Sequence, residues 1–589
     1  MFGYNIVQGV NEEVRLGRVP QTVSSFNIGY EIIPGLTING FAGVDASFGT
    51  DNNQRPGTLP VFPGGQMTVV SRRTIAYNAN TTVNYTKRFG DIHQISGIAG
   101  FEYRKEERGG VTAAQFTYPN PALRLLSSGA TARPAGEFFF DNARQGVFAQ
   151  VKYTLKDRYI VDGTIRRDGS SRFGPNNRYG TFFAGSVAYR ISEESFMDGI
   201  TWLDDLKIRA AYGRVGNSEI ADYDWYTAYG SPAAGSVGIP AGAQYLGGSI
   251  LRLTRLGNDI IGWEEEDQFN VGIDFSLFGG RLFGSAEFYN NVTNNQLFNV
   301  DLPTDSGLGS VRGNVGEVLN RGFDFELGGI VLDRGGFQYR VTANFSTLYN
   351  ELVSLPNNQQ RLVNNGVQLI VGEPIAFPFL LQFAGVNPAN GKTMIVNKDG
   401  NLAYQGTQDD VDVRGTYIPT YFGGFSNNFS YKGINLEVFF QFQGGNSAFN
   451  GDLYNLYAAG SSANNQLVSQ LNRWQNPGDI TNVPRAYQGG IIDGFDQQHG
   501  TFGSTQFLSD ASYVRLKQVT LSYNLPNTLV SKIGLNKVNV FVQGLNLWTA
   551  TKFAGIDPEV VSNNNGTAIS SFGVFPLGKQ FMAGVTIGL

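Results

Sequence analysis

Seventeen stretches of this chain alternate apolar and polar residues over strand lengths, and the connections between them alternate strictly between short and long. From Gln21 onward the short connections fall at 32–34, 88–91, 156–158, 191–204, 278–280, 332–336, 432–433 and 524–537. The long ones fall at 49–71, 109–143, 169–178, 216–263, 292–320, 350–418, 444–509 and 550–577. A soluble sheet has no reason to gather its large loops at one end. A barrel standing in a membrane does, with tight turns on one side and elaborated loops on the other. The pattern predicts an all-β fold, a transmembrane antiparallel β-barrel with long extracellular loops and short periplasmic turns.

The period-two alternation supports this. From Leu36, the residues Ile38, Ala42, Val44, Ala46 and Phe48 face one way, with Thr37, Asn39, Asp45 and Ser47 between them. Val147, Ala149, Val151, Tyr153 and Leu155 alternate in the same way with Gln150, Lys152 and Thr154. Successive side chains of a strand point to opposite faces, so one face suits lipid and the other a hydrated interior. A soluble sandwich or propeller also alternates, but its strands are shorter, and no propeller repeat is present. No run of about 18 apolar residues occurs, so no helix is expected to cross a membrane. Without one, only a closed barrel pairs every backbone group in lipid.

Composition narrows the chemistry. Charged residues are 16% of the 589, well below the ~25% of ordinary globular chains, while aromatics reach 13%. The net charge of −5 leaves no basic footprint for nucleic acid. Cysteine is absent, which removes thiolate catalysis, Cys-ligated zinc and disulfides together. The two histidines, His93 and His499, lack any metal-ligand spacing and read as polar surface residues. Asp409-Asp410 and Glu264-Glu265-Glu266 read as solvated loop ends rather than calcium ligands, because no ordered ligand spacing accompanies them. No nucleophile elbow or phosphate-binding loop appears, so the chain is not expected to be an enzyme, and no cofactor or metal is implied.

Strand arithmetic bears on completeness. Bacterial single-chain barrels have an even number of strands, and the first of the seventeen, 21–31, runs from the long-loop side inward. An outward strand is therefore expected before it, and residues 1–20 read as part of a long outer loop. The segment after Met1 has neither the charged start nor the apolar stretch of a signal peptide. The whole of 1–589 is read as barrel, with a signal peptide and earlier strands expected upstream. The last strand, 578–589, runs inward, which puts the C-terminus in the periplasm.

Several segments resemble the SusC/RagA group of TonB-dependent outer-membrane transporters. They are IVDGTIRRDGSSRFGPNNRYGTFFAGSVAYRISEESFM (160–197), LKIRAAYGRVGNSE (206–219), VGEPI (371–375), FAGVNPANGK (383–392) and GGFSNNFSYKGINLEVFFQFQGG (423–445). With them go NRW (472–474), YVRLKQVTLSYNLP (513–526) and GLNLWTATKFAGIDPEV (544–560). The resemblance runs in order from about Gln21 to Leu589. It implies a 22-stranded barrel around an N-terminal plug, of which this chain would carry strands six to twenty-two. It also implies uptake of oligosaccharides or peptides, powered through the TonB complex, beneath a SusD-like lipoprotein lid. The alternative is a passive porin-like barrel or surface scaffold.

Ligand contact is expected from loop aromatics, whose flat faces stack on sugar rings while amide side chains bond hydroxyls. The candidates are Tyr223, Trp225, Tyr226 and Tyr229 in 216–263, and Tyr454, Tyr457 and Trp474 in 444–509. The competing role for each is packing the loops together. Arg166, Asp168 and Arg172 in RRDGSSRFG are read as an ion-pair and turn network.

Overall fold

The computed structural model describes residues 6–59, 62–120, 122–123, 125–133, 135–230, 244–245, 248–364, 367–457, 466–486, 491–492, 495–496, 503–560, 562–564, 568–570 and 573–588. His499 lies outside them. The chain divides into two compact units, Met1–Val187 with Tyr212–Glu266 and Asn295–Asn314, and Ala188–Ala211 with Asp267–Asn294 and Val315–Leu589.

The first unit is built on an antiparallel meander. Its strands are β1 (Val14–Arg18), β2 (Gln21–Ile33), β3 (Leu36–Arg55), β4 (Gln66–Phe89), β5 (His93–Phe116), β6 (Gly136–Leu155) and β7 (Tyr159–Ser170). From β2 onward each pairs with the next. β4 and β5 have 24 residues each. About 9–11 residues cross a bilayer when tilted, so these strands carry their ladder beyond the apolar layer. The segment read as outer loop contains β1, which continues the line of β2 along β3, with Arg18 opposite Thr50 and Gln21 opposite Ser47. The two are separated by Val19-Pro20, where proline has no N–H to donate to the ladder. β1 has no signature in the sequence, because its five residues include Arg15, Gly17 and Arg18 and show no clean alternation.

Strands β8 (Tyr179–Arg190), β9 (Leu203–Asn217) and β10 (Glu264–Leu277) have residues in both units. The second unit's meander contains β11 (Leu282–Asn294), β12 (Glu317–Arg334), β13 (Phe337–Thr347), β14 (Tyr421–Tyr431), β15 (Ile434–Gly444), β16 (Tyr513–Asn524), β17 (Lys537–Thr551) and β18 (Gln580–Gly588). Each again pairs antiparallel with its successor. The long strands β2 to β18 are the seventeen predicted, and every short connection falls within a few residues of its expected place.

Turn chemistry explains the tight reversals. Gly35 has φ +86, and a Cβ there would collide with the Thr86 carbonyl oxygen on β4. Lys432 (φ 48) and Gly433 (φ 89) form a two-residue turn in the left-handed region, the twist a hairpin prefers.

The two sheet faces differ as predicted. On β12, Phe323, Phe325, Leu327 and Val331 lie on one face and are exposed. Ring contacts continue that face from β11 to β15, from Phe288 through Phe323, Phe325 and Phe345 and over Gly423 of β14 to Phe442, with centroids 5.3–6.4 Å apart. The opposite face carries Ser285, Glu287, Asp324, Glu326, Asn344 and Gln441, which line an open hollow of about 410 Å³. Leu327→Arg, on the apolar face, should cost about 2–4 kcal/mol of refolding stability in lipid vesicles. Thr342→Lys, on the polar face, should change it by no more than about 0.5 kcal/mol. Equal losses for the two variants would show that the faces are wrongly assigned.

Candidate functional site

At the long-loop end of the first unit, charge pairs hold the segment after β9 against the strand ends. Arg172, in the turn after β7, has Nε 2.9 Å from an Asp222 oxygen and Nη1 2.5 Å from Glu219. Arg108 of β5 reaches the other Asp222 oxygen at 3.0 Å, and Arg144 of β6 pairs with Glu219. Both the Arg172 and Asp222 side chains are buried. Two strands and two loops thus converge on two carboxylates. Burial alone would raise Glu219, but the Arg144 and Arg172 guanidiniums reverse this and hold it down to about 2. Nearby, Arg166 pairs with Asp168 and Glu102, so RRDGSSRFG has the network role expected of it.

The same loop segments contribute to a small apolar core of Phe173, Ile220, Ile261 and Leu297, with Trp225 and Trp263 packed on it. Trp263 meets Phe173 and Phe182 at centroid distances of 5.3 Å and donates its indole N–H to the Arg178 carbonyl. Tyr223 has φ +66, a costly conformation for a bulky residue, and its hydroxyl donates to Asp141. Tyr226 and Tyr229 are 60% and 67% exposed. Tyr229 sits on a short antiparallel strand pair, Ala228–Gly230 against Arg252–Arg255.

The second unit's loops have their own cores. Tyr457 packs with Val483 and Phe507, and its hydroxyl donates to the Asn482 carbonyl. Tyr454 meets Phe507 edge-on at 5.2 Å. Trp474 is buried and donates its indole N–H to the Pro388 carbonyl at 2.8 Å. Its ring covers Gly391 (φ +71), where any Cβ would strike it. The NRW and NPANGK segments therefore form one structural piece. A second long-range pairing joins YVRLKQ to GIDPEV. Arg515, 3% exposed, bonds Asp557 at 2.6 Å and lies 2.8 Å from Glu559, which also takes Lys517 at 2.5 Å. Burial pushes the Asp557 carboxyl up, but Arg515 and the N–H groups of Glu559 and Leu577 bring it below the ordinary carboxylate value.

Of the seven candidate aromatics, Tyr226 and Tyr229 present mostly exposed rings, while Tyr457 and Trp474 are buried in loop cores. Tyr223, Trp225 and Tyr454 are half-buried and committed to neighbours within their own unit. Glu264 accepts from Gln296 and from the Leu297 N–H, and Asp410 caps the short turn beginning at Thr407. His93 meets the Tyr153 hydroxyl at 2.7 Å. Among the described residues no acidic or histidine cluster has the geometry to hold a metal.

The family profile described as "TonB dependent receptor-like, beta-barrel" matches residues 14–422. The chain belongs to that family. It is 29% identical to TonB-dependent receptor P3 of Formosa agariphila over 96% of this chain and 57% of that protein. It is 26% identical to TonB-dependent receptor SusC of Bacteroides thetaiotaomicron over 76% of this chain and 44% of that one. The structure of the RagAB peptide transporter superposes with a TM-score of 0.86 at 26% identity, covering 98% of this chain and 63% of that one. The chain thus spans about half the length of the curated relatives it matches. It is a TonB-dependent receptor barrel of the SusC/RagA type, a family of outer-membrane receptors. The apolar face described above is its lipid face, and the polar face lines the interior.

Two outcomes follow for this receptor barrel. Arg172→Ala leaves Asp222 with Arg108 as its one cationic partner among the described residues and should cost about 3 kcal/mol, the low end for a broken buried pair. Hydrogen exchange should show the opening confined to residues near 218–230. Glu219 has a depressed value, so its contribution is complete above its ordinary value of 4.5 and is lost as pH falls toward about 2. Protection of the same peptides should stay flat from neutral pH down to that ordinary value and decline below it. A decline beginning near neutrality would show that a different group controls the clamp.

Proposed function

We propose that this chain is the barrel of an energised outer-membrane importer for oligosaccharides or peptides. It would work with the TonB complex, acting through a plug, and with a SusD-like lipoprotein covering the long loops. The observation that carries the reading is the superposition, over 98% of the chain, on solved structures described as a peptide transporter and peptide importer. The long loops then face the outside, the short turns and C-terminus face the periplasm, and the polar wall forms the hydrated route. No covalent chemistry on the substrate is required. The barrel contributes capture by the loops and passage along the wall of Ser285, Glu287, Asp324, Glu326, Asn344 and Gln441.

For capture we favour Tyr226 and Tyr229, whose exposed rings stand on a loop braced by buried charge pairs. A rigid support lowers the entropy cost of binding through an aromatic ring. The reading is tested by uptake in a deletion strain carrying the full-length gene. Loss of the TonB-contacting segment should abolish accumulation against a gradient, and unchanged accumulation would overturn energised import. Tyr226→Ala with Tyr229→Ala should weaken ligand binding about tenfold, near 1.4 kcal/mol, with surface expression unaltered. The passive-barrel alternative predicts steady conductance of the full-length protein in planar bilayers, where a plugged importer is nearly silent.

A further inference from the structure

The lipid face of the first unit ends in an ordered line of cations. On β4 the outward residues are mainly apolar from Tyr85 to Ile75, and the next outward residue is Arg73. On β5 Lys105 follows Tyr103, and on β7 Arg167 follows Ile165. Cross-strand register shows that these occupy one face. Arg73 lies opposite Phe48, Lys105 opposite Tyr77, and Arg167 opposite Val147. On β1, Arg18 is opposite Thr50, the first outward polar residue after Phe48. From β1 to β7 the positions step steadily toward the short-turn end, as residues at one depth must on tilted strands.

These cations are not equally occupied. Lys105 binds Glu107 at 2.7 Å, with Asp141 opposite Glu107, and Arg167 lies over the Tyr179 ring at 5.4 Å. Arg18 and Arg73 are exposed and have no ion-pair partner among the described residues. A free guanidinium at the boundary of hydrocarbon keeps its full affinity for a planar or tetrahedral oxyanion.

An open groove of about 450 Å³ lies on the same face, nearer the short-turn end. Phe26, Val44, Tyr77 and Tyr103 wall it, and Ala42 and Ala79 form its floor. The small floor residues recess the lipid face where its neighbours project large side chains. The groove row Val44–Tyr77 is four residues along the strands from the row Phe48–Arg73, about 13 Å at strand rise.

We propose that this wall holds one phosphate-bearing membrane lipid, an acyl chain lying in the groove and a phosphate between Arg18 and Arg73. The occupant is a lipid rather than a dissolved anion because the groove belongs to the face that hydrocarbon already covers, and both features share one set of strands. With the long loops outside, the lipid belongs to the outer leaflet. That leaflet assignment rests on the proposed orientation, whereas the site itself rests on the barrel fold.

The test uses the full-length receptor in phosphatidylcholine nanodiscs doped with bisphosphorylated lipid A or its dephosphorylated form, with retained lipid counted by native mass spectrometry. The receptor should retain the phosphorylated form about tenfold better. Arg18→Gln with Arg73→Gln should abolish that preference, and Ala79→Trp, which fills the groove, should lower retention of both forms. Lys87→Gln, on the same face beside a short turn, should leave retention unchanged. Each variant is compared at equal heat-modifiable mobility, so loss of fold is separated from loss of lipid. Unaltered preference in the double arginine variant overturns the proposal, as does inorganic phosphate binding as tightly as the phosphorylated lipid. Uptake does not enter this readout, so the lipid site and the import reading stand or fall separately.

Discussion

Everything in this chain follows from hydrocarbon offering no partner to a backbone amide. Each N–H and C=O at membrane depth has to find another strand, because an unpaired group there costs several kcal/mol. The antiparallel meanders meet that demand strand by strand, with unbroken registers such as the twenty-four pairs of β4 with β5. Once backbone pairing is compulsory, the side chains divide by face. Phe, Leu and Val go to lipid, and Asn, Glu and Ser to the interior.

Outside the apolar layer the constraint relaxes and a different interaction takes over. The long loops have small cores, a few buried residues each, too little apolar area to order them alone. Buried or half-buried charge pairs add the direction that those cores lack. Arg172 with Asp222 and Arg515 with Asp557 and Glu559 each join residues more than forty positions apart, and each ties a long loop to a residue in or just beyond a strand's end. A desolvated pair of this kind contributes little net stability compared with an apolar replacement. It penalises any arrangement that leaves one charge alone. The loops are therefore specified by what would go wrong if they moved, which suits a surface that has to present the same rings to successive ligands.

Much of the architecture was legible from the residues. Period-two alternation and the alternating connection lengths located the long strands, since both are local patterns that pleat geometry imposes directly. Their outer ends were less visible. Residues 49–55 and 109–116 read as loop because Asp51, Asn52, Asn53 and Gly109-Gly110 break the apolar rhythm, yet they pair where the strands leave the bilayer. Beyond the lipid no apolar face is needed, so that rhythm carries no information. The aromatic candidates show the same limit. Composition marked Tyr226 and Trp474 alike, but one ring is exposed and the other seals Gly391. The glycine in NPANGK and the tryptophan in NRW were the available signal, and only their meeting in space explains both.

Fold class, the positions of the long strands, the alternation of short and long connections and which side chains share the apolar face were legible in the sequence alone, because each depends on neighbours within a few residues. Which aromatics reach solvent, which arginines are bound and which stay free, and where β1 continues β2 were decided by the tertiary structure. Those outcomes depend on contacts between segments tens of residues apart, where burial and pairing, not local pattern, set the free energy of each side chain.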